Sequence, residues 1–225
     1  MREIILDTET TGLSPKDGHR IIEIGCVEMK DKVITGNNFH VYINPQTLIS
    51  ESAYNVHGIS NEFLEGKPVF KDIASDFLDY IGDDDLVIHN ASFDMGFLNY
   101  ELKILSKRPL INGVIDTLKI ARSKFPGSKV NLDALCKKLD VSNAARDKHG
   151  ALLDAEILAA VYVKMVTEDQ NLLSFAEPKS KLDLKQASIM RINFPNRNMV
   201  IADEEVKAHK LMLEKLQNPL WNKIS

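Results

Sequence analysis

Asp7 and Glu9 stand one residue apart at the end of the apolar run Ile4-Ile5-Leu6, in the stretch ILDTETTGL. In an extended strand alternate side chains share a face, so these carboxylates stand side by side on it. Like charges so placed repel, and a strand disfavours both acids. The pair calls for open water or a cation. Two further acids raise the same question. Asp94 follows the apolar segment LVIHN by a few residues, in the first turn of the next helix, where its carboxylate can face the carboxyl end of a sheet. His149 and Asp154, in HGALLDAEIL, lie five apart across the start of another helix. Both can reach one cleft from that helix's amino-terminal end.

Asp7, Glu9, Asp94 and Asp154 are hard oxygen donors, the preference of Mg²⁺ or Mn²⁺. Zinc would want cysteines or several histidines at ligand spacing, and the sequence has none so arranged. Four carboxylates from three elements suffice for two divalent ions sharing a bridging acid. In such sites, with ions about 3.5–4 Å apart, one ion activates water and the other stabilises the leaving oxygen of a phosphodiester. His149 would take the proton of the attacking water, because an imidazole titrates near working pH. Each residue also has a plain structural reading. Asp-x-Glu on a strand is commonly a solvated edge, Asp94 a helix-start acid favoured by the macrodipole, and His149 and Asp154 exposed helix residues. Their joint occurrence, in order and each at the end of an element, favours chemistry.

The elements that must position these groups follow from periodicity. REIILD, HRIIEIGCVEMKD and NNFHVYINP read as three strands, with a turn at Gly36-Asn37-Asn38 between the second and third. FKDIASDFLDYI carries Ile73, Phe77 and Ile81 at helical spacing. DLVIHN is a short buried strand leading into a helix striped by Met95, Leu98, Leu102 and Leu105. A strand near GVIDTLK and helices at NLDALCKKL and HGALLDAEILAAVYVKMV complete the unit. A meander followed by alternating helices and strands predicts an α/β fold, a mixed sheet flanked by helices.

The boundaries expected are a domain over 1–168, a linker over 169–185 and a tail over 186–225, the last carrying a helix near IADEEVKAHKLMLEKLQNPLW. The 225 residues, 44% hydrophobic and 27% charged, suit a globular chain with a sizeable core. A formal net charge of −4 argues against a protein that coats nucleic acid by bulk electrostatics, but leaves room for a local site charged by metal ions. Cys26 and Cys136 sit far apart in apolar contexts with no CxxC pattern, which suits a reducing compartment. With no apolar run near the roughly 18 residues of a membrane helix and no leader ahead of the first strand, a cytoplasmic protein is expected.

DTETTGL, VHGIS, HNASFDMGFLNYEL and HGALLDAEILAAVY resemble the three motifs of the DEDDh 3′–5′ exonucleases, most of all the proofreading subunits of bacterial replicative polymerases. The resemblance runs over nearly the whole chain. It implies a ribonuclease H-like fold and release of nucleoside 5′-monophosphates from a single-stranded or frayed 3′ DNA end. Asp7, Glu9, Asp94 and Asp154 would bind the metals and also touch substrate, and His149, five before Asp154, would be the general base. Thr10 and Gly12 in the turn, Val56 and His57 in VHGIS, and Phe93 would hold the terminal nucleotide; for Val56 and Phe93 the plain reading is core packing. One departure stands out: Ser52 occupies a position where the family pattern has a glutamate, with Glu51 beside it.

In the tail, Gln170, Leu173 and Phe175 in QNLLSF resemble the extended peptide by which such subunits touch the sliding clamp. KQASIMRINF and the last twenty-odd residues resemble the segment that binds the catalytic (alpha) subunit of DNA polymerase III, with Trp221 as an anchor. A small theta-like subunit is a further partner that the likeness implies. Two other readings share the catalytic residues or the tail: a stand-alone DEDDh exonuclease acting on RNA or in DNA repair, and a non-catalytic scaffold between polymerase and clamp. The first has no use for the tail peptides, and the second would have lost one or more of the acids.

Overall fold

β1 (Arg2–Thr10) lies at the centre of a mixed sheet with β2 (Ile21–Lys30), β3 (Val33–Tyr42), β4 (Asp85–Ile88) and β5 (Val114–Asp116), in the order β3-β2-β1-β4-β5. β1–β2 and β2–β3 pair antiparallel, whereas β1–β4 and β4–β5 pair parallel. The computed structural model describes residues 1–144, 148–174 and 203–214. Helices in chain order are α1 (Glu51–His57), α2 (Asn61–Leu64), α3 (Phe70–Ile81), α4 (Ala91–Ile104), α5 (Thr117–Lys124), α6 (Leu132–Leu139), α7 (Ala151–Ser174) and α8 (Asp203–Glu214). The chain divides into two compact units, 1–176 and 177–225, and α8 is the described element of the second.

Strand alternation builds two cores, one on each face of the sheet. Ile4 and Leu6 point to the side covered by α3 and α4, where they meet Phe77, Ile81, Phe97 and Leu98. Ile5, with Val27 and Met29 of β2, points to the other side, against Leu135, Ala155, Leu158 and Val161 of α6 and α7. The stripe Ile73, Phe77 and Ile81 is buried as its spacing predicts. Truncating a fully buried phenylalanine such as Phe77 costs about 3–5 kcal/mol.

The chain reverses between β2 and β3 at Asp31-Lys32, not at Gly36-Asn37-Asn38. Asp31 and Lys32 both take positive φ, 51° and 65°, the backbone of a tight hairpin turn. Gly36 (φ 82°) sits inside β3, where the pairing skips from Val27↔Asn38 to Met29↔Ile34. The glycine therefore makes an irregularity within a strand, the alternative use of its left-handed freedom. Sequence periodicity also passes over α1, with seven residues, and α5, whose first turn falls within the segment GVIDTLK read as a strand. Ser50 and Asp116 cap them, accepting from the backbone N–H of Ala53 and Leu118.

α7 runs on to Ser174, past the boundary expected at residue 168, because no glycine or proline interrupts the chain from Ala151 until Pro178. Gln170 and Leu173 thus have helical backbone rather than the extended form expected of a clamp peptide. Phe175 and Trp221 lie outside the described residues. No helix among the described residues is long and apolar enough to cross a membrane.

Candidate active site

Asp7 and Glu9 project from the same face of β1 as Ile5, beneath the start of α7. That helix comes very close to β2: a Cβ on Gly25, the cross-strand partner of Asp7, would lie 2.2 Å from the Leu152 backbone nitrogen. Only glycine permits the approach, and it brings Asp154, in the first turn of α7, over the carboxyl end of β1. Thr8 points to the opposite face and donates a 2.7 Å hydrogen bond to Oδ1 of Asp94, in the first turn of α4. The cleft therefore opens across the end of β1, with acids from both sides of the sheet.

Asp7, Glu9, Asp94, His149 and Asp154 all line one cavity of about 320 Å³, together with Phe93. Ligand atoms of Glu9, His149 and Asp154 lie within 4.8 Å of one another. His149 Nδ1 is 3.2 Å from Asp154 Oδ2, and the His149 backbone N–H bonds to the Val56 carbonyl at 3.3 Å, tying its loop to α1. Asp94 is 2% exposed, and burial pushes its carboxyl up to about 7, against the lowering effect of the Thr8 hydrogen bond. A buried acid so raised is one that a cation would return to its charged form. The carboxylates of Asp7, Glu9, Asp94 and Asp154 beside the imidazole of His149 fit a hard divalent ion, and no thiolate lines the cavity for a softer one.

A second cavity of about 240 Å³ adjoins the first and shares Glu9 and Phe93 with it. Thr10, Gly12, Val56 and His57 line it too, so every substrate contact expected from the motifs faces one of the two spaces. Val56 is 47% exposed, which excludes the plain core reading for it. Phe93 is partly buried, its ring tilted 53° to that of Phe97 with centroids 5.0 Å apart, and it lines both cavities. Nδ1 of His57 accepts from the Ile59 N–H at 3.0 Å, so the ring's proton resides on Nε2, which is buried against the Thr10 backbone. Burial, aided by Lys148 and His149, holds the His57 pKa below its ordinary value. Ser52 also lines this cavity, whereas Glu51 is exposed at the start of α1 and does not.

Sequence reasoning passed over His89, Asn90, Asn131 and Asp133, which also wall the catalytic cavity. A signal existed for the first two, since they follow the carboxyl end of a central strand, where open sheets place their sites. His89 Nδ1 lies 2.9 Å from the Thr117 hydroxyl, joining the end of β4 to α5. Behind Glu9, its cross-strand partner Glu23 is buried and contacts His40 Nε2 at 2.7 Å, so the second acid has its own neighbour.

A mixed sheet of this order, flanked by helices and carrying an acidic cleft at the ends of its central strands, defines a nuclease of ribonuclease H-like architecture. The exonuclease family model matches residues 4–162. The chain is 48% identical over 224 residues to the DNA polymerase III subunit epsilon of Rickettsia felis, covering 96% of this chain and 97% of that one. Among solved structures, Exonuclease X in complex with 5′ overhanging duplex DNA superposes with a TM-score of 0.61 at 29% identity, covering 75% of this chain and 93% of that one. The nuclease domain of 3′hExo, a DEDDh family member bound to rAMP, has a TM-score of 0.65 at 22% identity, covering 74% and 92%, a likeness of fold. The chain belongs to the exonuclease family, within the group of DNA polymerase III epsilon subunits. Its activity is that of a 3′–5′ proofreading exonuclease, and the family uses divalent metal ions.

Proposed function

We propose that Asp7, Glu9, Asp94 and Asp154 hold two divalent cations, Mg²⁺ or Mn²⁺, and that His149 is the general base for hydrolysis of the 3′-terminal phosphodiester of DNA. The observation that carries this reading is the convergence of all five side chains on one cleft beside an apolar pocket. Bound cations supply positive charge at the phosphate and activate water. The protein's own groups do the rest. Asp154 orients His149: with Nδ1–H directed to the carboxylate, Nε2 carries the lone pair that takes water's proton. The terminal nucleotide sits in the second cavity, its base against Val56 and Phe93, with His57 in the wall and the Thr10–Gly12 turn beneath the sugar. The product is a nucleoside 5′-monophosphate.

The acidic balance of the chain fits a subunit that handles a few nucleotides of a frayed end while others hold the duplex. A mismatched terminal base costs less to unpair, which gives proofreading its selectivity. Residues 1–168 form the exonuclease domain in this reading. The chain downstream reaches the sliding clamp through Gln170, Leu173 and Phe175, and the polymerase III alpha subunit through residues 186–225 and Trp221. Leu211 and Met212, exposed on α8, support a docking role for that helix. A small theta-like subunit completes the set of partners, and the cytoplasm is the compartment in which they meet.

The test is digestion of a 3′-mismatched DNA primer, with and without Mg²⁺, beside an RNA strand of the same sequence. Mg²⁺-dependent release of nucleoside monophosphates from DNA is expected, with His149→Ala lowering kcat by about 10²–10⁴-fold. Unchanged hydrolysis in His149→Ala or Asp7→Ala would defeat the mechanism, and preference for the RNA would make the chain an RNA trimmer.

A further inference from the structure

Two further cavities adjoin the catalytic cleft. The pocket for the terminal nucleotide shares Glu9 and Phe93 with it, and a third cavity of about 410 Å³ shares Asn90. The third lies between α4 and α5 along edge strand β5, walled by Ser92, Met95, Val114, Lys119 and Arg122. Lys119 and Arg122 are three residues apart on α5, hence neighbours on one helix face, and both are exposed. Neither forms an ion pair among the described residues. The one carboxylate on the wall, Asp116, is engaged with the backbone N–H groups of Asn90 and Leu118. Asp116 keeps its charge, so the two cations face one carboxylate and the groove wall is net positive.

We propose that this groove carries the sugar–phosphate backbone of the substrate strand upstream of the scissile bond, with Lys119 and Arg122 contacting its phosphates. The inference rests on the exonuclease reading above and extends it to a second binding site. A strand whose terminal nucleotide fills the Val56–Phe93 pocket and whose scissile phosphate meets the acids must leave the cleft on another side. The cavity beyond Asn90 borders the cleft there, and its net positive wall matches a phosphodiester. The cleft itself is lined by carboxylates, so upstream phosphates gain nothing from its walls. At His89, on the wall of the cleft, burial lowers the imidazole pKa, Asp116 and the Val130 backbone oppose it, and Arg122 adds to the lowering.

The experiment compares two DNA substrates in the full chain with Mg²⁺. One is the p-nitrophenyl ester of thymidine 5′-monophosphate, which has no upstream phosphate, and the other is a ten-nucleotide oligothymidylate. In the double variant Lys119→Ser, Arg122→Ser, KM for the ten-mer rises about tenfold with kcat within twofold, and both parameters for the ester stay at wild-type values. The salt dependence of kcat/KM for the ten-mer becomes shallower, by about 0.7 in log–log slope for each phosphate that the variant no longer neutralises. Intact hydrolysis of the ester shows that the variant is folded. Unchanged KM and salt slope for the ten-mer would overturn the proposal, as would an equal rise in KM for the ester. A wild-type chain inactive on both substrates would instead overturn the exonuclease reading, and this proposal with it.

Discussion

The Thr8 hydroxyl donates a 2.7 Å hydrogen bond to Oδ1 of Asp94, linking the central strand to α4 through the site. Burial raises the Asp94 carboxyl, and this donor is the first of the influences that lower it again. Thr8→Val keeps the shape and removes the donor. On the proposal that Asp94 holds a cation, affinity for Mn²⁺, followed by activity against metal concentration, is expected to fall about 10–100-fold, as for partners of metal ligands generally. Wild-type metal dependence in Thr8→Val would show that Asp94 is held by other means.

Gly25→Ala tests the close approach of α7 to β2. The added Cβ would meet backbone atoms of Ala151 and Leu152, 2.2–2.5 Å away, and backbone cannot rotate aside. The helix start must move, at a cost of about 1–3 kcal/mol as for other overpacked cores, carrying His149 and Asp154 with it. Chemical denaturation should register the loss, and kcat should fall more than the remaining folded fraction explains. An alanine variant with wild-type stability would contradict the packing described.

Arg20, just before β2, grips Glu101 of α4 with a forked pair, Nε to Oε1 at 2.6 Å and a terminal nitrogen to Oε2 at 2.5 Å. Glu101 is 2% exposed, and the pair raises the Arg20 pKa further, chiefly through these hydrogen bonds. Arg20→Met strands a buried carboxylate and should cost about 3–5 kcal/mol, whereas replacing both residues by apolar ones should recover much of that. A double-mutant cycle by urea denaturation gives the coupling directly, and a single variant as stable as the double would rule the pairing out.

Glu28 supplies a pH dependence of stability. The Arg2 guanidinium, with help from Thr35 and Asn37, lowers its carboxyl from 4.5 to about 2. A carboxylate depressed on folding stabilises above its unfolded pKa, and that contribution drains away as pH falls from about 4.5 toward 2. Thermal melts of the wild type should therefore lose Tm through that window faster than melts of Glu28→Gln, and the variant should be the less stable near neutrality. Parallel curves for the two proteins would contradict the assignment.

Much of the site was legible because it is written at element ends. Alternation put Asp7 and Glu9 on one face, and the apolar stripe of FKDIASDFLDYI placed α3 without ambiguity. The hairpin turn was misplaced because glycine serves a turn and a strand irregularity equally well, and only the pairing of β2 with β3 distinguishes them. α1 escaped notice although it carries Val56 and His57, since seven residues are too few to show a helical period. Past residue 168, the polar stretch up to Ser174 has no glycine or proline and reads equally as linker or helix, and α7 continues to Ser174.

The sequence alone determined the chemical inventory, the order of the acids and the type of most long elements, because these depend on residue type and short-range period. Tertiary structure decided what lies between remote residues. It showed that Asp94 reaches the cleft from the face opposite Asp7, that α7 presses on Gly25, and that Asn90 opens toward Lys119 and Arg122. Such relations arise where elements far apart in the chain pack together, and no local pattern encodes which side of a sheet a later helix will cover.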